Sequence, residues 1–226
     1  MRFPFLVAAA IVAAGAVNAA SVTPTFTFVG ADTTSAQSSG VFRADLIGLG
    51  LSEIGSIKVT DDNSGTSGSA GAYSGFDLDA LFLDLDGDYT TTVDQIYASS
   101  FFFNAGSIRA GSAPASNTSG PLNGMNADGT VNEAFATLNA IDALFFDSGS
   151  ISLGDGGSVT ANFLPEIAVP SSLFIIVGEV GNNGESVDGL ITVSEDPQVV
   201  PLPAGGWLLL SGLGAFCIAR RRKRTA

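Results

Sequence analysis

The sequence predicts an all-β body, an antiparallel β-sandwich of jelly-roll-like type, flanked by an N-terminal signal peptide and a single C-terminal transmembrane helix. Three observations predict it. Short apolar runs recur between clusters of Gly, Ser, Asn and Asp, with 28 glycines in 226 residues, the punctuation of antiparallel strands. Several runs alternate apolar and polar side chains, the period of a half-buried strand. The stretch between the two ends, about 180 residues without an internal repeat, suits one sandwich.

Nine strands are predicted in order, at 22–30, 41–49, 54–60, 75–85, 95–103, 150–154, 158–163, 173–180 and 189–194. In the first, TFTF places Phe26 and Phe28 on one face, toward a core, with the threonines toward water. LFIIV, at 173–177, has no polar alternation and predicts a strand buried on both faces. GDGG at 154–157 reads as a hairpin between SISL and SVTANF, because glycine supplies the positive φ of a tight turn. Residues 61–75 and 111–129 are long polar loops. TVNEAFATLNAIDALFF has two readings. Thr130 and Glu133 have capping-box spacing for a helix, and a strand followed by a loop fits as well.

Both ends read as targeting segments. Arg2, an apolar stretch from Phe3 to Val17 and the small-residue triplet Val17-Asn18-Ala19 have the order of a secretory signal peptide. The apolar stretch is short for a retained span of about 20 residues. The boundaries are therefore 1–19 for the signal peptide, 20–198 for the exported acidic domain and 199–226 for the tail. In the tail no residue from Ala204 to Ala219 is charged, and as a helix at about 1.5 Å per residue it is a marginal membrane span. The basic cluster Arg220, Arg221, Arg222, Lys223 and Arg224 would stop transfer and stay cytoplasmic. Pro201 and Pro203 hold the chain extended just outside the bilayer. That geometry suits a protease, and equally a stalk above a permanent anchor.

Charge and absent residue types limit function. All 22 acidic residues lie between Asp32 and Asp196, where only Arg43, Lys58 and Arg109 oppose them. Such a body repels phosphate backbones, so nucleic acid is excluded as a partner. There is no histidine, and the single cysteine, Cys217, lies in the tail. The body therefore has no disulfide, no Cys or His zinc site and no imidazole base. These absences favour a protein that is not an enzyme.

The tail carries a resemblance. Val200, Pro201, Leu202, Pro203 and Ala204, followed by the apolar run and the basic cluster, resemble the C-terminal sorting signals of PEP-CTERM proteins, in the VPLPA-type variant of certain Gram-negative bacteria. The resemblance covers about the last 27 residues. It implies an exosortase-type partner, a membrane-embedded cysteine-dependent enzyme that cuts near the proline motif. It also implies transient residence in the inner membrane, then delivery to the cell surface or extracellular matrix. A weaker resemblance, carried by Leu153, Gly154, Gly156, Gly157 and Ser158, is to a hairpin pattern frequent in exported β-sandwiches.

Within the body, GFDLDALFLDLDGDYTT is the richest acidic segment. Asp77 and Asp79 would share one face of a strand, as would Asp84, Asp86 and Asp88. Repulsion among them would be relieved by a cation, and calcium is the one candidate cofactor. The EF-hand spacing fails, because Tyr89 and Gln95 stand where glycine and glutamate belong. A solvated acidic strand end explains the same residues, as does a carboxylate pair for glycoside hydrolysis. The expected function is a secreted, non-catalytic surface or matrix protein. The alternatives are a calcium-dependent glycan-binding module, with extracellular polysaccharide as its partner, and an acid-dyad hydrolase.

Overall fold

The computed structural model describes residues 19–34, 37–112, 119–143, 149–181 and 190–198. Eleven strands are described: β1 (Ser21–Val22), β2 (Thr27–Asp32), β3 (Ser39–Asp45), β4 (Glu53–Thr60), β5 (Asp77–Asp84), β6 (Gln95–Ile96), β7 (Ser100–Asn104), β8 (Ile151–Ser152), β9 (Ser158–Ala168), β10 (Phe174–Val180) and β11 (Ile191–Ser194). They form two antiparallel sheets, ordered β1-β11-β4-β9-β7 and β2-β3-β10-β5-β6, with β8 also paired to β5. The described residues contain no helix, and none is long and apolar enough to cross a membrane. The signal-peptide and tail predictions lie outside the described residues.

One apolar cluster draws on both sheets. Ile54, Ile57 and Val59 of β4, Val159, Ala161 and Phe163 of β9, and Val193 of β11 meet Leu81 and Leu83 of β5 and Ile175 and Val177 of β10. The alternation is that of strands with one face turned to a shared core. A smaller cluster, Val41, Ala80, Phe82 and Ile176, lies on the other face of the second sheet. Its partly buried neighbours are Val29, Tyr89 and Ile141. LFIIV is therefore buried on both faces, as its lack of polar residues predicted.

Two predicted strands each divide between the sheets. Residues 22–30 supply β1 to one sheet and β2 to the other, and residues 95–103 likewise supply β6 and β7. The chain thus crosses between layers at both lateral edges. The break corrects the TFTF expectation. Phe26 precedes β2 and is buried, whereas Phe28 is 51% exposed and packs edge-on against Phe42 at 5.5 Å. Strand alternation cannot continue through a sheet change, and a further irregularity interrupts the β2–β3 register between Phe28 and Gly30.

GDGG also departs from expectation. Gly154 and Gly156 have the positive φ predicted, 76° and 74°, but the turn joins β8 of one sheet to β9 of the other. It is a crossover and not a hairpin. The 130–143 stretch forms turns. Thr130 cannot serve as a helix cap, because its hydroxyl donates to Asp128 Oδ1 at 2.7 Å and accepts from Asn126 at 3.0 Å. Leu138 instead offers its carbonyl to the Leu81 amide at 2.8 Å, filling the β5 edge between β6 and β8.

Candidate metal centre

Strand β5 ends at Asp84, and its edge pairing decides what happens next. Asp84 stands opposite Gln95 and Leu83 opposite Ile96, so the chain turns back within ten residues. Successive aspartates shape the return. Asp84 Oδ1 accepts from the Gly87 amide and from the Asp86 amide at 3.1 Å. Asp86 Oδ1 accepts from Asp88 at 2.7 Å, and Asp88 Oδ1 accepts from the Thr90 amide and hydroxyl at 3.1 and 2.6 Å. Each is an Asx turn, in which a short carboxylate replaces a backbone acceptor two residues on. Gln95 Nε2 then donates to the Tyr89 carbonyl at 3.2 Å, closing the loop.

The loop is seated on the sheet by Arg43. Its Nη1 donates to the Gly87 carbonyl at 2.9 Å, and its guanidinium lies 5.1 Å from the Phe174 ring centre. Gly87 has φ +78°, and a Cβ there would stand 3.0 Å from Arg43 Nη1 and 3.1 Å from the Phe174 ring. Glycine is therefore favoured by the left-handed φ, and a side chain there would also push on Arg43 and Phe174.

This geometry brings Asp84, Asp86 and Asp94 together, each with one carboxylate oxygen within 4.8 Å of the others. Asp84 is fully buried, and its Oδ2 has no hydrogen-bond partner. Burial pushes the Asp84 carboxyl above its usual range, with the nearby Asp94 charge and the Asp86 carboxyl adding to the rise. At an effective dielectric of about 20, each pair of charges at this spacing repels by roughly 3 kcal/mol, less for the exposed Asp86. Asp88 points elsewhere: its carboxyl is held below its usual range by the Thr90 hydroxyl and amide.

The other predicted ligands lie apart from this group. Asp77 accepts from the Ser152 hydroxyl of β8. Asp79 occupies a bulge: Gly178 pairs with Ala80 and Glu179 with Leu78, leaving Asp79 without a partner in that ladder. It therefore does not share a simple strand face with Asp77. Asp79 is fully buried, accepting from Ser39 Oγ at 2.5 Å and from the Asp142 amide at 3.2 Å. Its carboxyl is pushed up to about 7, chiefly by burial. Val200, Pro201, Leu202, Pro203 and Ala204, with Arg220 to Arg224, lie outside the described residues. Asp94 was missed by sequence reasoning. The available signal was the need for the chain to turn back after a buried strand, which returns a residue ahead of QIY to the end of LFLD.

No known protein family, curated protein or solved structure matches this chain.

Open grooves also mark the surface of the described residues. One, of about 390 Å³, is lined by Thr25, Thr27, Arg43, Asp45, Leu49 and Phe174. Another, of about 120 Å³, includes Tyr97, Phe101, Glu133 and Thr137. Each holds one carboxylate, so neither pairs a general acid with a carboxylate base.

Proposed function

We propose that the protein is a secreted, non-catalytic surface or extracellular-matrix protein, with a jelly-roll-like sandwich as its body and a C-terminal VPLPA signal through which it is sorted and processed. The observation that carries the reading is the order of the tail: Val200 to Ala204, an uncharged run to Ala219, then Arg220 to Arg224. The wiring of the body supports the architecture. Strands β1-β11-β4-β9 and β3-β10-β5-β6 form two four-stranded sets, and apart from the β5–β6 hairpin successive strands of these sets alternate between them as in a jelly roll. The described fold is anchored as far as Gln198, whose amide donates to Asn162 Oδ1 at 2.8 Å, so the motif begins two positions beyond a fixed residue. Mass spectrometry of the mature protein, from producing cells with and without their processing enzyme, tests the proposal. A product ending near Val200–Ala204 only when the enzyme is present is expected; an intact tail in both defeats it.

A second reading, a glycan-binding module, is favoured by the larger groove. There Arg43 and Asp45 stand beside the Phe174 ring, a mixture of hydrogen-bonding groups and an apolar face that suits a sugar. Retention on the producing cells' own polysaccharide, lost in Arg43→Ala, is the expected result; undiminished retention removes the reading.

A further inference from the structure

The loop after β5 has one feature that its turns do not explain. Asp84 Oδ1 fully serves the turn, accepting from Gly87 and Asp86. Oδ2 of the same carboxylate is buried and has no donor. Buried polar atoms in folded proteins find a partner in nearly every case, because an unmet acceptor keeps its whole desolvation cost. The neighbouring carboxylates of Asp86 and Asp94 supply no donor, and each has an oxygen within 4.8 Å of one of the Asp84 oxygens. Among the described residues, the one cation at the loop is Arg43, and its Nη1 is committed to the Gly87 carbonyl.

We propose that Asp84, Asp86 and Asp94 form a calcium site, with the buried Asp84 Oδ2 as its innermost ligand. Two oxygens bound to one calcium at about 2.4 Å lie at most about 4.8 Å apart, and each of the three carboxylates places one oxygen within that limit of the others. Magnesium demands a near-ideal octahedron at about 2.1 Å and sheds its waters reluctantly, a poorer match for carboxylates supplied by an irregular loop. Calcium also tolerates irregular geometry and takes the rest of its six to eight oxygens from water or nearby carbonyls. Asp84 is supplied by the end of β5, Asp86 by the first Asx turn and Asp94 by the approach to β6. The ion therefore ties both ends of the β5–β6 connection. The site stands whether or not the tail is processed.

The variants separate ligand from scaffold. Among the described residues no hydrogen bond holds the Asp94 carboxylate, so Asp94→Asn removes a ligand charge and leaves the turns intact. Asp86→Asn keeps an oxygen for the Asp88 amide. Asp62→Asn is the control, an exposed acid in another loop, whose Oδ1 receives the Ser64 amide.

The experiment uses the full chain in detergent, stripped with EDTA and titrated with calcium chloride by calorimetry and thermal unfolding. One saturable site of roughly 0.1–1 mM is expected, the range of extracellular calcium modules. With it should come a rise in Tm of about 3–10 °C at 10 mM calcium. Asp94→Asn and Asp86→Asn should each weaken binding at least about tenfold, while Asp62→Asn leaves it unchanged. Loss of calcium response in Asp94→Asn with an unaltered Tm in EDTA supports the site. No saturable heat in the parent chain, equal binding in Asp94→Asn, or an equal response to magnesium chloride overturns it.

Discussion

The Ala20 amide donates to Glu195 Oε2 at 3.3 Å, joining residues 175 positions apart. Glu195 returns the contact through its own amide, which donates to the Ala20 carbonyl at 3.1 Å. The pair extends the β1–β11 ladder by one residue on each strand. Glu195 Oε1 also accepts from the Ser52 amide and hydroxyl at 2.8 and 2.9 Å.

Cleavage after Ala19 would turn the Ala20 amide into an ammonium facing that carboxylate. N-terminal sequencing of the mature protein should therefore begin at Ala20. Glu195→Gln should lower Tm by a few degrees at neutral pH, because it removes the negative charge. The Glu195 carboxyl is held below its usual range by Ser52 and then by Ala20. A depressed carboxyl stabilises above its unfolded pKa and loses that effect as pH falls through the folded value. The difference between the two proteins should fade below about pH 4. A constant difference at all pH values would assign the effect to packing.

Asp79 has the opposite sign. Its carboxyl is raised to about 7, so the fold favours the neutral acid. Stability is unaffected below about pH 4, falls as the unfolded chain ionises, and levels off above about pH 7. The fall is worth about 4 kcal/mol for this shift. Asp142, raised by its own burial, faces the same bulge and adds to the slope. Asp79→Asn can accept from the Asp142 amide and donate to Ser39 Oγ, so it should be more stable than the parent at pH 8 and nearly flat from pH 4 to 7. Melting curves across that range measure both; a parent-like slope in the variant would place the titration elsewhere.

Strand existence was legible because it depends on local alternation, and each of the nine predicted runs contains a strand. The bulge at Asp79 was not, because an extra residue in one strand becomes visible only against its partner, here Gly178 and Glu179 of β10. Sheet changes within 22–30 and 95–103 were hidden for the same reason. Asp84 and Asp86 were legible as an acidic cluster. Asp94 was not, since its place follows from the Asp84–Gln95 pairing, a non-local contact.

Gly87→Ala should disrupt the acidic loop from its tip. The left-handed φ costs a non-glycine residue about 1 kcal/mol, and displacing Arg43 and the Phe174 ring adds to it. We expect a loss of about 1–3 kcal/mol by denaturant titration, with the β5–β6 connection exchanging amide hydrogens faster than β4 and β9. Unchanged exchange at 85–94 would show that the loop keeps its shape without the Arg43 bond.

Arg109 ties two polar loops together, the one at Gly65–Ser67 and the one at Asp155. Its guanidinium donates to the Gly65 carbonyl at 2.7 Å and to the Ser67 carbonyl. Nε lies 3.3 Å from Asp155 Oδ1, a charge contact whose alignment falls short of a hydrogen bond. Arg109→Met keeps the apolar stem but leaves those acceptors unmet, so a loss of about 2–4 kcal/mol is expected. Arg109→Lys should recover less than half, because one ammonium cannot span the fork. Full recovery by lysine would reduce the role of Arg109 to its charge.

The stem that leads into the tail is strapped across the outer face of the first sheet. Ser56, Thr160 and Asn162 point away from the core yet are buried, because residues 195–198 cover them. Ser56 Oγ donates to the Asp196 carbonyl, Thr160 Oγ1 to Gln198 Oε1, and the Gln198 amide to Asn162 Oδ1, all at 2.8 Å. Combining Thr160→Val with Asn162→Ala removes two of these bonds, worth about 1 kcal/mol each. Local opening of the stem should then rise roughly tenfold to thirtyfold, while the core transition moves little. A glutamate-specific protease cutting after Glu195, followed by mass spectrometry, reads that opening directly when reclosing is fast relative to cleavage. Cleavage at the parent rate would mean that Ser56 and the Ala20–Glu195 contact hold the stem without help from β9.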